Sequence, residues 1–250
     1  MVQYCYVDSL LELDIPNEDV EGGVRKLMDN EVVSLCNEFI NASTDLPTTE
    51  LEWTMANLVK YPQVQAKLVE EIKLVLGPER RSNVLKEDLD HMPFLKATIL
   101  EVLRRHPPAH MVIPHRAGLD IEIGGYMIPK NAAINVLVAD IGRDPNVWEA
   151  PMEFNPDRFL VKSGLGQDEK ISVSFDVAGR KEIKMMPFGV GRRMCPGNVL
   201  ARKNLEYMVA NLVWHFEWKA IDGEVVDLDE KEVFTIMMKN PLRALISPKL

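Results

Sequence analysis

A single cysteine lies in a glycine- and arginine-rich stretch, Phe188–Gly197, which reads FGVGRRMCPG. Gly189 and Gly191 let the backbone turn sharply and approach a flat, bulky group without a side-chain clash. A helical pattern begins just afterwards, at Asn198. The order predicts a tight loop that delivers the sulfur of Cys195 to a helix N-terminus. Unpaired N–H groups and partial positive charge at such an end favour a thiolate over a thiol.

The chemistry of this loop suits a heme iron. Arg193 supplies a fixed positive charge that suits a carboxylate, and an electron-rich thiolate is the ligand that lets heme iron cleave an O–O bond. The alternative is an inert, buried cysteine after a glycine-rich turn. The spacing Phe188-x-x-Gly191-x-Arg193-x-Cys195-x-Gly197 resembles the heme-binding signature of the cytochrome P-450 heme-thiolate monooxygenases. The resemblance implies that these residues bind heme b (iron protoporphyrin IX), with Cys195 as the iron ligand.

Composition narrows the class of protein. The chain has 250 residues, 46% of them hydrophobic, which suits one or two globular domains. Its net charge of −9 argues against nucleic acid or an anionic membrane surface as the main partner. The cysteines, Cys5, Cys36 and Cys195, are far apart and predict a reducing, cytosol-facing compartment without disulfides. No apolar run reaches the ~18 residues that span a bilayer.

Hydrophobic spacing predicts a mainly α chain with small antiparallel β-sheets, an α+β class. Helices are expected over Tyr4–Leu13, Asn30–Lys60 with Asp29 as N-cap, Pro62–Leu76, Phe94–Arg105 and Asn198–Trp214. Strands are expected over Leu119–Ile123 and Tyr126–Ile128 around Gly124 and Gly125, then Ala132–Val138, Phe216–Lys219, Val225–Leu228, Phe234–Met238 and Leu242–Ile246. Residues Asn17–Lys26 and Asp140–Lys170 are expected to be mostly loop.

A second motif, Glu101-x-x-Arg104, lies in the predicted helix Phe94–Arg105. Side chains at i and i+3 share a helix face and can pair. Such a pair is usually solvated, but apolar neighbours in this helix favour burial, and a buried pair needs a third partner. Arg158 is a candidate third partner, since the family joins its helical ExxR pair to the arginine of a PxRF segment. The resemblance therefore implies a locked core of Glu101, Arg104 and Arg158 beneath the heme.

The loop after the same helix contains His115, in Ile-Pro-His-Arg. The resemblance implies that His115 and Arg193 each reach a heme propionate. The alternative for His115 is a surface histidine in a loop. Residues Ala109–Ile113 and Phe234–Met238 are expected to line an apolar pocket over the heme.

The long helix departs from the family at its oxygen-activating segment. The family places an acid and a threonine next to each other, and the pair relays protons to iron-bound dioxygen. Here Asp45 takes the acid position within Ala42–Thr49, and Leu46 stands where the threonine is expected. A leucine side chain neither donates nor accepts a proton.

Pro47 follows and has no N–H, so the carbonyl of Ser43 loses its helical partner at a cost of about 3 kcal/mol. We expect a kink there, which would let Thr48 or Thr49 turn toward the iron. With Asp45 they form the predicted catalytic group. The alternative is that the two threonines only cap or decorate a kinked helix.

The resemblance covers the whole chain and matches the C-terminal half of a plant-type member, so residues 1–250 are expected to form a partial domain without the N-terminal half and membrane anchor. It implies a monooxygenase that inserts one oxygen atom from dioxygen into a small apolar organic substrate, with electrons from an NADPH-dependent reductase. The alternatives are a truncated, non-catalytic remnant and a heme-thiolate isomerase or dehydratase, which needs no proton-relay threonine. The parent family lies on the cytosolic face of the endoplasmic reticulum membrane; without that anchor the chain is expected to be cytosolic or unstable.

Overall fold

A computed structural model describes residues 4–17, 20–77, 81–164, 170–233 and 235–249. The chain divides into two compact units, residues 1–46 and 47–250. Its secondary structure is helical with small antiparallel sheets, as predicted.

The first unit contains helix α1 (Tyr6–Glu12), strands β1 (Asp14–Pro16) and β2 (Val24–Lys26), and the start of helix α2 (Asp29–Lys60). The strands pair antiparallel, so the prediction of a plain loop over 17–26 was wrong at its C-terminal end. Asp29 is the first helical residue rather than the N-cap. The backbone N–H of Met28 donates to the Glu31 carboxylate at 2.8 Å, while its carbonyl accepts from the Glu31 N–H at 2.9 Å. This reciprocal pair satisfies the helix end.

The second unit is built on the C-terminal part of α2 and on helices α3 (Pro62–Leu76), α4 (Pro93–Arg105) and α6 (Asn198–His215). Helix α3 has the predicted bounds, because Pro62 favours a first turn and Gly77, with φ of 70°, ends the last. The helices share one apolar core, whose fully buried members include Trp53, Leu58, Leu68, Ile72, Leu95, Leu103, Val209 and Val213.

Short strands surround these helices, and within the described residues every sheet has two strands. The pairs join β3 (His115–Arg116) to β6 (Ala133–Ile134), β4 (Ile121–Ile123) to β5 (Tyr126–Ile128), β7 (Leu160–Ser163) to β8 (Lys170–Val173), β9 (Phe216–Lys219) to β12 (Leu245–Pro248), and β10 (Glu230–Glu232) to β11 (Ile236–Met238). The predicted hairpin at Gly124 and Gly125 is confirmed, with φ of 58° and 83° at the two glycines.

Other strand predictions were wrong in part. The predicted strand over 132–138 ends at Ile134, and helix α5 (Val138–Arg143) begins inside it. The expected loop 140–170 therefore includes most of this helix, a 3₁₀ turn (Pro156–Phe159) and β7. Residues 225–228 form no strand, and β12 starts three residues later than predicted. Phe234, at the start of another predicted strand, lies outside the described residues. Within the described ranges, no helix combines the length and apolar character needed to cross a membrane.

Candidate heme-binding site

The cysteine loop is a closed backbone turn. Gly189 and Gly191 have φ of 67° and 72°, the left-handed region that glycine adopts most easily. The backbone N–H of Cys195 donates to the carbonyl of Phe188 at 2.9 Å, which ties the two sides of the loop together. The carbonyl of Cys195 accepts from the side-chain amide of Asn198 at 3.0 Å, at the first residue of α6. The half-buried cysteine therefore sits at the N-terminus of an 18-residue helix.

Glycines around the sulfur keep the space beside it open. A side chain at Gly197 would meet the Cys195 Sγ at 3.8 Å, and one at Gly191 would meet no described heavy atom within 4 Å. At Gly189 a Cβ would lie 4.0 Å from a methyl group of Val112, so the 111–113 segment borders the loop. Phe188 packs against the apolar core from the other side.

Apolar side chains stand exposed along this border. Ile113 is 75% exposed and Met111 is 47% exposed. Met111 forms an isolated β-bridge with Leu137, which is 51% exposed. A sulfur ligand, an open glycine surface and exposed apolar side chains suit a flat, largely apolar metal complex. These residues therefore fit a heme.

The predicted propionate partners are both exposed. His115 lies in β3 opposite Ile134, and Arg193 ends a 3₁₀ turn two residues before the cysteine. Among the predicted catalytic residues, Asp45 and Thr48 are exposed and Thr49 is buried. Helix α2 continues through Pro47, so the proline does not end the helix.

The structure brings Glu101, Arg104 and Arg158 together. Glu101 is 0% exposed and Arg104 is 1% exposed. The guanidinium of Arg104 donates two hydrogen bonds to the Glu101 carboxylate, from Nε at 2.8 Å and from Nη2 at 2.9 Å. The Nε of Arg158 donates to the same carboxylate at 3.1 Å, and the backbone N–H of Asn155 donates to it at 2.8 Å. The buried charges are thus paired and hydrogen-bonded, which burial of an ion pair requires.

Arg104 also binds backbone carbonyls from distant parts of the chain. Its Nη1 donates to Gly142 at 2.7 Å and to Pro151 at 2.8 Å, and Nη2 donates to Glu153 at 3.3 Å. Every N–H group of the guanidinium therefore has an acceptor. The network fastens α4 to α5 and to the 149–158 segment.

A second charged cluster, around Glu230, is absent from the sequence-based prediction. Its carboxylate contacts His106 Nδ1 at 3.1 Å and His110 Nε2 at 3.0 Å, and it accepts a short hydrogen bond from Arg143. Burial favours a raised pKa for Glu230, but the hydrogen bonds from both histidines and the charge of Arg143 outweigh burial and lower the pKa to about 2. Burial lowers the pKa of His106 to about 4, although its hydrogen bond to Glu230 opposes the shift.

Glu50, beside the predicted catalytic threonines, was also missed. It is 3% exposed, and neither carboxylate oxygen has a hydrogen-bond partner among the described residues. Burial raises its pKa well above the ordinary value. Only its apolar neighbours Leu51 and Trp53 could have indicated from sequence that this carboxyl is buried.

A cysteine at the N-terminus of a long helix and a buried Glu–Arg–Arg network, in a mainly helical fold, are the arrangement expected of a heme-thiolate protein. A sequence profile for cytochrome P-450 matches residues 3–246. The chain therefore belongs to the cytochrome P-450 family. Membership implies a heme cofactor and resemblance to oxidoreductases of the monooxygenase type.

Plant members of the family are similar to this chain along nearly its whole length. Cytochrome P-450 89A9 of Arabidopsis thaliana is 53% identical over 249 residues, which cover 98% of this chain and 47% of that protein. Cytochrome P-450 98A1 of Sorghum bicolor is 38% identical over 90% of this chain and 42% of its own length. The chain thus spans about half the length of the curated relatives it matches.

Solved structures show the same fold. A zebra fish cytochrome P-450, in a structure with abiraterone, aligns with a TM-score of 0.75 and 27% identity. The alignment covers 90% of this chain and 49% of that one. The predicted α+β fold of a cytochrome P-450 is therefore confirmed.

Proposed function

We propose that this chain carries the thiolate side of a monooxygenase site, with Cys195 as the ligand of a heme b iron. The observation that best supports the proposal is the closed turn around Cys195. This turn presents a half-buried sulfur at the start of α6 beside an open glycine surface. The dipole of α6 and the N–H groups of its first turn favour an anionic ligand group at this position.

When bound, the heme supplies dioxygen activation and the transfer of one oxygen atom to an organic substrate. Phe188 supports the loop from the core, and Gly191 leaves room for the macrocycle. Arg193 from the cysteine loop and His115 from β3 would hold the propionates. The Glu101 network keeps α4 and the segment around Arg158 in fixed positions behind the site.

The substrate in this proposal is a small apolar organic molecule. Met111 and Ile113 are exposed apolar side chains that flank Val112, the residue nearest the cysteine loop, and they supply an apolar surface for the substrate. Thr48 and Thr49 hold and pass protons toward the site, in place of the threonine whose position Leu46 occupies. Electrons come from an NADPH-dependent reductase.

Ligation by Cys195 is tested by the reduced, carbon-monoxide difference spectrum of the heme-reconstituted protein. We expect the red-shifted Soret band of a thiolate-ligated heme, lost in Cys195→Ser. Cys36→Ser is the matched control, because Cys36 is also half-buried but lies in the first unit. A band that survives in Cys195→Ser contradicts the proposal. Absence of the band in the unmodified protein favours a non-catalytic remnant.

Leu46 favours a second candidate, a heme-thiolate isomerase or dehydratase, because such chemistry needs no proton-relay threonine. The double variant Thr48→Ala with Thr49→Ala separates the two functions. A monooxygenase using these hydroxyls loses turnover and releases more peroxide per electron consumed. Unchanged turnover and peroxide release contradict the role given to the threonines. An isomerised or dehydrated product formed without reductase and without any net oxidant supports the second candidate.

A further inference from the structure

The hairpin β10–β11 is joined to the segment that follows α4. Glu230 in β10 pairs with Met238 in β11. The backbone N–H of Ile236 donates to the carbonyl of Pro108 at 3.0 Å, and the carbonyl of Ile236 accepts from the Trp53 indole at 2.9 Å. Strand β11 therefore lies between helix α2 and the start of the 106–113 segment.

The carboxylate of Glu230 contacts two imidazole rings and two guanidinium groups close to β11. Its carboxylate binds His106 and His110 through different oxygens, and Arg143 shares the oxygen that His106 uses. Arg105 Nη1 lies 3.9 Å from that oxygen. Arg143 in turn donates to the carbonyl of Arg105 through Nε at 3.1 Å and Nη2 at 2.7 Å. One carboxylate thus connects the ends of α4 and α5 with the β10–β11 hairpin.

The two histidines contact different parts of the second unit. The ring of His106 stacks on Trp53 with centroids 4.0 Å apart and planes 6° apart, and it is fully buried. The carbonyl of His110 accepts from the backbone N–H of Val138 at 2.7 Å, at the start of α5. One residue further, Met111 begins the apolar border of the cysteine loop.

We infer that Glu230 is a positioning residue that fixes strand β11 and the Ala109–Ile113 segment relative to each other, and so sets the shape of the substrate cavity. The inference rests on the proposed function and on the expectation from the sequence that both segments line the apolar pocket over the heme. Glu230 itself is not expected to contact heme or substrate. Its partners are the side chains of Arg105, His106, His110 and Arg143, and the two histidines lie in the segment that leads from α4 to Met111.

The test compares Glu230→Gln with Glu224→Gln. The amide keeps the size of the side chain but loses the charge and replaces one acceptor oxygen with an NH₂ group, which faces a donor. Glu224 is an exposed glutamate on the same tail whose Oε1 lies 3.2 Å from Arg243, so its variant serves as the matched control. Glu230→Asp, which retains the charge, is expected to rescue part of the effect.

The first readout needs no heme. In Glu230→Gln, the amide protons of Ile236 and Met238 are expected to exchange with solvent at least about tenfold faster, the factor that loss of one charge-assisted hydrogen bond carries. Amides of α4 should keep their protection. Equal exchange in Glu230→Gln and Glu224→Gln overturns the inference, and so does a parallel loss of protection throughout α4, which would make Glu230 a general stabiliser.

The second readout is binding of a phenyl-substituted imidazole to the reconstituted heme, followed by its Soret shift. We expect the dissociation constant to rise about tenfold in Glu230→Gln while the carbon-monoxide spectrum stays unchanged. A dissociation constant within about twofold of the control overturns the inference. If the unmodified protein shows no thiolate spectrum, the proposed function fails, and the exchange measurement still decides whether Glu230 fixes the two segments.

Discussion

Replacing Arg104 by methionine removes the guanidinium at the centre of the buried network. The carbonyls of Gly142, Pro151 and Glu153 would lose their donor, and Glu101 would keep its negative charge at 0% exposure. Breaking a buried ion pair by removing one partner costs about 3–5 kcal/mol. Arg158 and the N–H of Asn155 still bind the carboxylate, so we expect the lower end, about 3 kcal/mol.

Urea unfolding followed by circular dichroism measures this loss. Arg243→Met is the matched control, because Arg243 forms an exposed ion pair, and such a pair contributes less than about 1 kcal/mol. If Arg104→Met does not fold, the double variant with Glu101→Gln is expected to recover folding, since it removes the buried charge that Arg104 no longer neutralises. An Arg104→Met protein whose unfolding free energy lies within about 1 kcal/mol of the control refutes the reasoning.

Three further changes probe buried groups. The pKa of His106 is about 4 in the folded protein against 6.5 for the free side chain, so its neutral form contributes stability that is complete above pH 6.5 and is lost as pH falls toward 4. The free energy of unfolding, measured with urea, should fall by about 3 kcal/mol over this range. His106→Phe should remove that pH dependence. Glu50 has a raised pKa, so its contribution is lost as pH rises above its usual range, and Glu50→Gln should stabilise the protein more at pH about 8 than at pH about 5. A Cβ at Gly142 would lie 2.5 Å from the carbonyl oxygen of Arg104, so Gly142→Ala should lower the unfolding free energy by about 1–3 kcal/mol.

Each of these three predictions can be contradicted by a specific result. An unchanged pH dependence in His106→Phe shows that other groups produce the acid loss. A Glu50→Gln variant that is destabilised equally at both pH values means that the carboxyl has a partner. For Gly142→Ala, Gly118→Ala is the control, since a Cβ there meets no described atom within 4 Å; equal midpoints for the two variants contradict the crowding at Gly142.

Local signals account for what the sequence predicted best. Pro62 and Gly77 mark both ends of α3 within the sequence itself, and Gly124 with Gly125 marks a hairpin in the same way. The cysteine loop is also local, because its glycines and the start of α6 lie within ten residues of Cys195. Patterns of this kind can be interpreted without knowing what packs against them.

Tertiary contacts account for what was missed. The run that leads into α5 contains Val136 and Val138, which favour a strand, whereas Gly142 inside α5 lies against the backbone of Arg104, a contact that no local pattern indicates. Backbone carbonyls that bind Arg104 have no sequence signature. Glu230 lies 124 residues from His106 in the chain, so no spacing rule connects the two.

The two-stranded sheets give the chain a modular design. Each strand hydrogen-bonds to one other strand within the described residues, whereas the buried ion pairs and the apolar core belong mostly to helices. A change of length or of exposed side chains in a ribbon such as β4–β5 therefore disturbs one partner strand only. Ribbons of this kind are free to diversify during evolution or engineering while the helical frame around Cys195 stays the same, whereas β11, buried in the helical core, is not.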